Sequence, residues 1–373
     1  MTNPACDKFG VCGGCSLQDM SYQEQLEQKR DQISSYIGVS PENITIHHDE
    51  PYGYRNRMDF IFGDGKIGQR VKGKWWQTVT LDACPISNKR LNELMKEVNE
   101  WVAPRADAFE VKQKTGTFKN AVIRTPALAS SVTFVINEES PGVVEAEQLV
   151  QEFADKTTAD QVIIGYTPRE SGVSVAEKIK VIKGEAFLKE EILGRPFEFH
   201  SQGFFQNNTV MAGQLVKYVR ERLASRNGDV LLDLYGGVGV FGICCSDLYK
   251  EVITAEAHSG SVESAGKNVQ ENGCTNVRCI EMDIKNIHLV QLPDRPTDVI
   301  LDPPRSGMIP KAIRRLLQRQ PDHIVYVSCN PKQFGMELSQ FRDAGYEVTS
   351  AAIFDLFPQT PHAELVTELS RVS

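Results

Sequence analysis

The first part of the chain alternates short apolar, β-branched runs with two segments of helical periodicity. From about Pro51 to Gly194 the helical stretches are 88–102 and 144–156, and the apolar runs are MDFIFG, WWQTVTL, NAVIRT, SVTFVIN and QVIIGYT. Several strands with few helices predict an α+β module. Residues 22–37, YQEQLEQKRDQISSYI, contain no glycine or proline and have helical spacing, so they predict one further helix before this module.

A different pattern begins near Arg195 and Pro196, where apolar strands alternate regularly with helices. The predicted strands are VLLDL, EVITAEA, VRCIEMD, DVILD and HIVYVS. Such alternation is typical of a doubly wound α/β fold with a parallel, Rossmann-like sheet. We therefore predict two domains, an α+β domain over residues 1–195 and an α/β domain over residues 196–373.

Acidic residues end three successive strands of the second domain. Asp233 precedes the glycine-rich turn LYGGVGVFG, Glu256 ends the next strand, and Asp283 ends the third. The turn lacks the G-x-G-x-x-G spacing that seats a pyrophosphate. The acids could instead accept hydrogen bonds from an ammonium, a ribose and an adenine amine, which favours S-adenosylmethionine over a dinucleotide. The alternative is that these acids are ordinary helix caps.

Two further strand ends carry candidate chemistry. Asp302 is followed by Pro303-Pro304-Arg305, where the prolines stiffen the loop and the arginine argues against a base-stacking, amino-methylating motif. Cys329 follows the strand HIVYVS, at the edge of the sheet where such folds keep their catalysts. Cys329 is therefore a candidate nucleophile. Glu364 opens the last predicted strand and is either an acid–base group or a surface residue.

Nine cysteines occur without a signal peptide, which argues against a secreted disulfide framework and for a cytoplasmic protein. Cys6, Cys12 and Cys15 have the spacing C-x5-C-x2-C, and Cys84 follows in DACPIS. Four thiolates suit either zinc or a [4Fe–4S] cluster, and the chemistry alone does not choose between them. The alternative is a set of free cysteines.

The formal net charge of −8 argues against a protein that coats nucleic acid without discrimination. Two local runs are nevertheless basic. Residues 66–74 and 111–124 each contain four cations, and Trp75-Trp76 follow the first run. Either run could be a solvated strand face, but together with aromatic residues they favour binding of RNA. No apolar stretch is long enough to span a membrane.

Six motifs in order resemble the RNA uracil-5-methyltransferase family, whose members act on tRNA or 23S rRNA. They are ACDKFGVCGGCS with DACP, FFQNN, DLYGGVGVFG, DPPRSG, YVSCNP and PHAELV. Two departures stand out. Gly236 occupies a position where family members often have cysteine, and only five residues precede Cys6, where many members carry an additional β-barrel (TRAM) domain.

The resemblance implies a class I methyltransferase domain after an N-terminal domain that binds RNA and a cluster. It implies Cys329 as nucleophile and Glu364 as base. Its implied [4Fe–4S] ligands are Cys6, Cys12, Cys15 and Cys84. Its implied S-adenosylmethionine contacts are Gln206, Tyr235, Glu256, Asp302 and Asp283.

The predicted function is methylation of C5 of a uridine in RNA by a monomer, without an obligate protein partner. The thiolate of Cys329 would add to C6, which makes C5 nucleophilic, and Glu364 would then remove the C5 proton. We favour 23S rRNA as substrate, with tRNA uridine 54 as the alternative. Cytosine-5 methylation, a non-catalytic cluster protein and radical methylation are the other hypotheses; the last expects a C-x3-C-x2-C motif.

Overall fold

The structure, a computed structural model, describes residues 2–226, 228–289 and 297–372. The chain begins with the segment that contains Cys6, Cys12 and Cys15, here called the cysteine segment. It then forms helix α1 (Tyr22–Ile37) and strand β1 (Ile44–His47). A capping box starts α1, since Ser21 and Glu24 satisfy each other's backbone N–H groups. Helix α1 ends at Gly38, whose φ of 70° is the left-handed conformation that glycine adopts without strain.

A seven-stranded sheet forms the body of the first half. Its strands are β2 (Arg57–Gly63), β3 (Lys66–Val71), β4 (Lys74–Thr80), β5 (Phe118–Arg124), β6 (Ser131–Asn137), β7 (Gln161–Thr167) and β8 (Lys178–Lys183). They are ordered β4-β3-β2-β5-β6-β7-β8, and only β6 and β7 pair in parallel. Helices α2 (Lys89–Trp101) and α3 (Val143–Ala154) bury their apolar sides with this sheet in one core, so the predicted α+β module is present.

A hairpin joins the two halves. Strands β9 (Phe187–Ile192) and β10 (Arg195–His200) are connected by Leu193 and Gly194, both with positive φ. Two such residues suit the type I′ turn, whose twist matches that of antiparallel strands. The hairpin side chains pack in one core with helix α4 (Thr209–Ala224). The sequence-based division between residues 195 and 196 thus falls at the start of β10.

The second half is an eight-stranded sheet with helices on both faces. Its own strands are β11 (Val230–Leu234), β12 (Glu251–Glu256), β13 (Val277–Glu281), β14 (Thr297–Leu301), β15 (His323–Ser328), β16 (Tyr346–Phe354) and β17 (Glu364–Arg371). The accompanying helices are α5 (Val240–Cys244), α6 (Ser259–Glu271), α7 (Pro310–Leu317) and α8 (Pro331–Asp343). Short 3₁₀ helices cover Pro41–Asn43, Ala103–Arg105, Ser246–Leu248 and Ile284–Leu289.

The order of this sheet is β1-β16-β17-β15-β14-β11-β12-β13, with β17 antiparallel to both neighbours. Strand β1 from the first half thus completes the edge beside β16. Helix α1 contributes Ile33 and Ile37 to the core on one face of this sheet. The N-terminal helix and strand are therefore part of the second structural unit. Within the described ranges, no helix has the length and apolarity needed to cross a membrane.

Candidate active site

The strand ends of the second sheet bring Cys329 and Glu364 together. In the antiparallel pair β15 and β17, Ser328 stands opposite Leu365. Cys329 follows Ser328 and Glu364 precedes Leu365, and besides burial the charge of Glu364 raises the pKa of the Cys329 thiol. The two residues that the motifs singled out for covalent chemistry are therefore neighbours.

Asp302 and Tyr235 lie at the same edge. Strand β14 runs parallel to β15 on one side and to β11 on the other, with Leu301 opposite Tyr326 and Leu234. Asp302 and Tyr235 are the residues that follow these paired positions. Because parallel strands place their carboxyl ends on one side, this edge is where an open α/β sheet binds its ligands.

Three carboxyl groups form a row behind the thiol. Burial, and then the charge of Glu256, raises the pKa of Asp233 to about 6. Asp302 keeps some exposed surface as a residue, but burial of its carboxyl group and the charge of Asp233 raise its pKa to about 7. Burial, and then Asp302, raises the pKa of Glu364 to about 8. Each carboxylate thus makes ionisation of the next one harder.

The surroundings of Cys329 favour the protonated form of its thiol. Its pKa is raised to about 12, first by burial and then by the charges of Glu364 and Asp302, while Arg305 acts weakly in the opposite direction. A thiol becomes a strong nucleophile only as its proton leaves. Without a ligand, the site therefore favours the thiol over the nucleophilic thiolate.

Two buried carboxylate oxygens in this row have no hydrogen-bond partner within the described part of the chain. They are Glu364 Oε2 and Asp233 Oδ1. The other oxygen of Asp233 accepts from Gly242 N at 3.0 Å and Thr254 Oγ1 at 3.3 Å. A buried polar atom without a partner costs about 1–3 kcal/mol, so both oxygens are suited to accept from a bound ligand.

The glycine-rich turn after β11 places Tyr235 at the site in a strained conformation. Its φ is 63°, a region that non-glycine residues rarely occupy and that concentrates at functional sites. The next residue, Gly236, has no room for a side chain, because an added Cβ would lie 2.4 Å from Thr254 Cγ2 and 2.9 Å from Asp233 Oδ2. The methyl group of Thr254 thus explains why this chain has glycine where the resembling family often has cysteine.

The carboxylates of Glu256 and Asp283 accept hydrogen bonds from nearby backbone N–H groups. Glu256 Oε1 accepts from the N–H groups of Ala257 and His258 at 2.7 and 2.8 Å, and its Oε2 accepts from Gly237 at 3.3 Å. The Asp283 carboxylate accepts from Lys285 N at 3.0 Å and pairs with Lys285 Nζ at 2.7 Å, which lowers its pKa. Asp283 thus makes contacts of the kind that the capping alternative predicts, and besides burial its charge also raises the pKa of Tyr235.

Gln206 belongs to the segment between β10 and α4. It follows β10, and its carbonyl oxygen accepts from Asn56 Nδ2 at 3.3 Å. It lines a cavity between the two halves together with Arg57, Arg124 and Phe205. The structure thus places Gln206 at the junction of the halves.

The four N-terminal cysteines line one cavity. Cys6, Cys12 and Cys15 reach it from the N-terminal segment, and Cys84 reaches it from the loop after β4. Burial, opposed by a hydrogen bond from Gln18 and reinforced by the other thiols, raises the pKa of Cys15 to about 11. Over residues 2–226, 228–289 and 297–372, however, no group of three or more His, Cys, Asp or Glu side chains has the arrangement of a metal site. The thiols are gathered, and metal ligation stays a prediction.

The sequence analysis missed the residues that hold the loop before Glu364. Lys29 of α1 is paired with Asp355 at 2.7 Å, and these side chains are 2% and 0% exposed. Gln25, one turn earlier, donates to Gln359 Oε1 and accepts from Gln359 N. The sequence contained an indication that these two residues are buried. Gln25 and Lys29 continue the i, i+4 stripe of the buried residues Ile33 and Ile37.

Comparison with known proteins identifies the family. The tRNA (uracil-5-)-methyltransferase family model matches residues 21–372. The chain belongs to this family. An uncharacterised RNA methyltransferase of Caldanaerobacter subterraneus subsp. tengcongensis is 32% identical, and the match covers 98% of this chain and 84% of the relative. A tRNA (uracil(54)-C(5))-methyltransferase of Pyrococcus furiosus is also 32% identical, with 98% and 85% covered.

A solved structure of the family has the same fold. The tRNA (uracil-54, C5)-methyltransferase of Pyrococcus abyssi, in complex with S-adenosyl-L-homocysteine, superimposes with a TM-score of 0.79 at 28% identity. The superposition covers 96% of this chain and 86% of that one. The predictions of an RNA uracil-5-methyltransferase and of an α/β methyltransferase fold are confirmed.

Proposed function

We propose that this uracil-5-methyltransferase modifies tRNA at uridine 54, with S-adenosylmethionine as methyl donor. The support is that the Pyrococcus furiosus and Pyrococcus abyssi relatives are named for uridine 54 of tRNA, and that the latter was solved with S-adenosyl-L-homocysteine. These relatives favour tRNA over the 23S rRNA that the sequence analysis preferred. The basic runs of the first half are consistent with an RNA substrate of either kind.

The observation that carries the chemistry is that Cys329 and Glu364 lie at the adjoining ends of β15 and β17, where besides burial the charge of Glu364 raises the pKa of the thiol. The thiol of Cys329 releases its proton to solvent, and the thiolate adds to C6 of uracil. The electron pair of the C5–C6 bond moves toward the O4 carbonyl, so that C5 could attack the methyl group of S-adenosylmethionine, which would leave as S-adenosylhomocysteine. Glu364 then removes the C5 proton, and the electrons of that C–H bond restore the double bond and expel the thiolate.

S-adenosylmethionine supplies the methyl group and a sulfonium charge that would favour the thiolate over the thiol. Its contacts, in our proposal, are Gln206, Tyr235, Glu256 and Asp302. Asp233 contributes through its free Oδ1 atom. Asp283 has the least support, since a ligand would have to compete with Lys285 for the carboxylate. The target uridine must leave its stack to reach Cys329, which is easiest in an RNA loop.

Cys6, Cys12, Cys15 and Cys84 would hold a [4Fe–4S] cluster. The donor set fits, because four thiols line one largely apolar cavity that also contains Phe9, Met58 and Leu81. Burial raises the pKa values of Cys6, Cys12 and Cys15, whereas a cluster iron would stabilise their thiolates. In this proposal the cluster is a cross-link between the N-terminal segment and the first sheet, and residues 1–195 bind RNA while residues 196–373 perform the chemistry.

The cluster assignment can be tested by anaerobic purification. We expect brown protein with a broad visible absorbance that Cys12→Ser loses, and substoichiometric zinc. Colourless protein with one tightly bound zinc would reverse the assignment of the metal.

The substrate assignment can be tested with labelled S-adenosylmethionine and two unmodified transcripts, tRNA and 23S rRNA. We expect label in tRNA only, mapped to uridine 54 by nuclease digestion and mass spectrometry. A tRNA in which uridine 54 is replaced by cytidine is the matched control. Label in 23S rRNA, with tRNA unmodified, would return the proposal to the rRNA alternative.

A further inference from the structure

The β3–β4 hairpin presents a tryptophan to solvent at the edge of the first sheet. Strand β4 is the outermost strand of that sheet, and its second residue, Trp75, is 62% exposed. Edge strands are usually protected by short length and by charge, and an exposed indole is the opposite of such protection. Tryptophan is enriched at interfaces, so the exposed indole at this position is a candidate contact for a partner.

The hairpin also gathers lysines that have no acidic partner in the described structure. Lys72 and Lys74 flank the turn at Gly73, and both are exposed. Lys112, from the second basic run, lies with its Nζ atom 4.5 Å from the centre of the Trp76 ring. By contrast, Lys66 at the other end of β3 is paired with Asp82. Lys112 is the cation of the second run that reaches the hairpin, since Lys114 is paired with Glu170 and the other two cations of that run are buried.

The two tryptophans have different surroundings. Trp76 is partly buried between Lys112 and Trp75, and the two indole rings meet edge to face with centroids 5.9 Å apart. Trp76 thus supports Trp75, while Trp75 remains open to solvent. An aromatic face supported in this way, beside free lysines, has the chemistry of a stacking platform for a base with cations for the adjoining phosphates.

The hairpin is connected to the active site through the cysteine segment. Gly13 N donates to Arg70 O at 2.9 Å, and Lys72 N donates to Val11 O at 2.8 Å. A few residues later, Ser16 N and Leu17 N donate to the carbonyl oxygen of Gln359, at 3.0 and 3.2 Å.

Gln359 lies in the loop that leads to Glu364. One short segment of backbone therefore lies between the hairpin and the catalytic edge, so that one folded RNA can contact both.

We propose that Lys72, Lys74, Trp75 and Lys112, here called the hairpin surface, bind the RNA substrate beside the active site. The lysines contact phosphates, and Trp75 stacks on an unpaired base. This inference rests on the proposed function for the identity of the RNA. An overall charge of −8 makes such a local basic surface the more important for attracting a polyanion.

The test measures binding of a tRNA transcript by fluorescence anisotropy over a range of salt concentrations. Loss of one stacking contact by Trp75→Ala should raise Kd between about 5-fold and 150-fold. The variant Lys72→Ala/Lys74→Ala should reduce the slope of log K against log salt by about 1.4, which corresponds to two phosphate contacts. Trp75→Phe keeps an aromatic face and should retain most of the affinity.

A matched control removes two exposed lysines elsewhere in the first half, Lys96→Ala/Lys156→Ala, and should leave the salt slope unchanged. Binding of S-adenosylmethionine and the thermal midpoint should be the same in all variants, since every changed side chain is exposed. Wild-type Kd and salt slope in both Trp75→Ala and Lys72→Ala/Lys74→Ala would overturn the hairpin surface. The site of methylation is a separate readout, so that failure of wild-type enzyme to modify tRNA would reject the proposed function alone.

Discussion

Replacing Lys29 by methionine tests how firmly helix α1 holds the loop before Glu364. The Nζ atom lies 2.7 Å from Asp355 Oδ1 and 3.3 Å from Phe357 O, in a site closed to solvent. Methionine keeps the aliphatic volume but leaves Asp355 as a buried charge. Breaking a buried ion pair from one side costs about 3–5 kcal/mol. The hydroxyl of Tyr22 still donates to Asp355 Oδ2 at 3.0 Å. We therefore expect the free energy of unfolding to fall by about 3 kcal/mol, the lower end of this range.

The measurement is urea unfolding followed by circular dichroism, combined with single-turnover methylation. The double variant Lys29→Met/Asp355→Asn removes both charges, keeps the contact with Tyr22, and should recover at least about 1 kcal/mol relative to the single variant. Lys217→Met, at an exposed position of α4, is the control and should stay within about 0.5 kcal/mol of wild type.

If the pair holds the loop in place, Lys29→Met should also slow release of methylated RNA without changing Kd for RNA. Wild-type stability of Lys29→Met, or a double variant less stable than the single one, would refute the reasoning.

Three further outcomes are expected. Glu364→Gln should accumulate a covalent protein–RNA adduct that carries the labelled methyl group and survives denaturing gels, and adding Cys329→Ala should abolish the adduct; normal turnover would exclude Glu364 as the base. The rate of product release should rise with pH up to about 8, since burial and Asp302 raise the pKa of Glu364 to about 8 and only the ionised form accepts the proton; a flat profile in wild type contradicts this role. Gly236→Cys should lower the free energy of unfolding by about 1–3 kcal/mol, because its side chain would overpack against Thr254. The double variant Gly236→Cys/Thr254→Ser should recover part of that stability. Equal stability of Gly236→Cys and wild type would show that the space is open.

The arrangement of strand ends around Cys329 could be predicted because it follows from local pattern and one rule of parallel sheets. The runs ending in Asp233, Asp302 and Cys329 are short, apolar and bounded by turns, so strand ends were visible in the sequence. Parallel strands then place those ends together. Glu364 was predicted to open a strand, and β17 begins there. The sequence did not show that β17 lies antiparallel between β15 and β16, although this placement brings Glu364 close to Cys329.

The role of the N-terminal segment in the second sheet could not be predicted from local pattern. Strand β1 pairs Ile44 with Ala351 and His47 with Phe354, contacts that join distant parts of the chain. A four-residue strand has little periodicity of its own, and its partner is fixed only by the tertiary fold. The polar positions Gln25 and Lys29 on the buried stripe of α1 carried a hint of this packing, but they did not identify Asp355 and Gln359 as partners.

The cysteine segment therefore has more than one neighbour to stabilise. Its backbone is hydrogen-bonded to the β3–β4 hairpin through Gly13. It is also hydrogen-bonded to the loop before β17 through Ser16 and Leu17. A cross-link at Cys12 and Cys15 would fix both sets of hydrogen bonds at once, although no step of the uracil chemistry requires an electron. Loss of the cross-link would then loosen RNA binding and the placement of Glu364 together, because the same few residues hold both. A cluster can thus affect methylation through geometry alone.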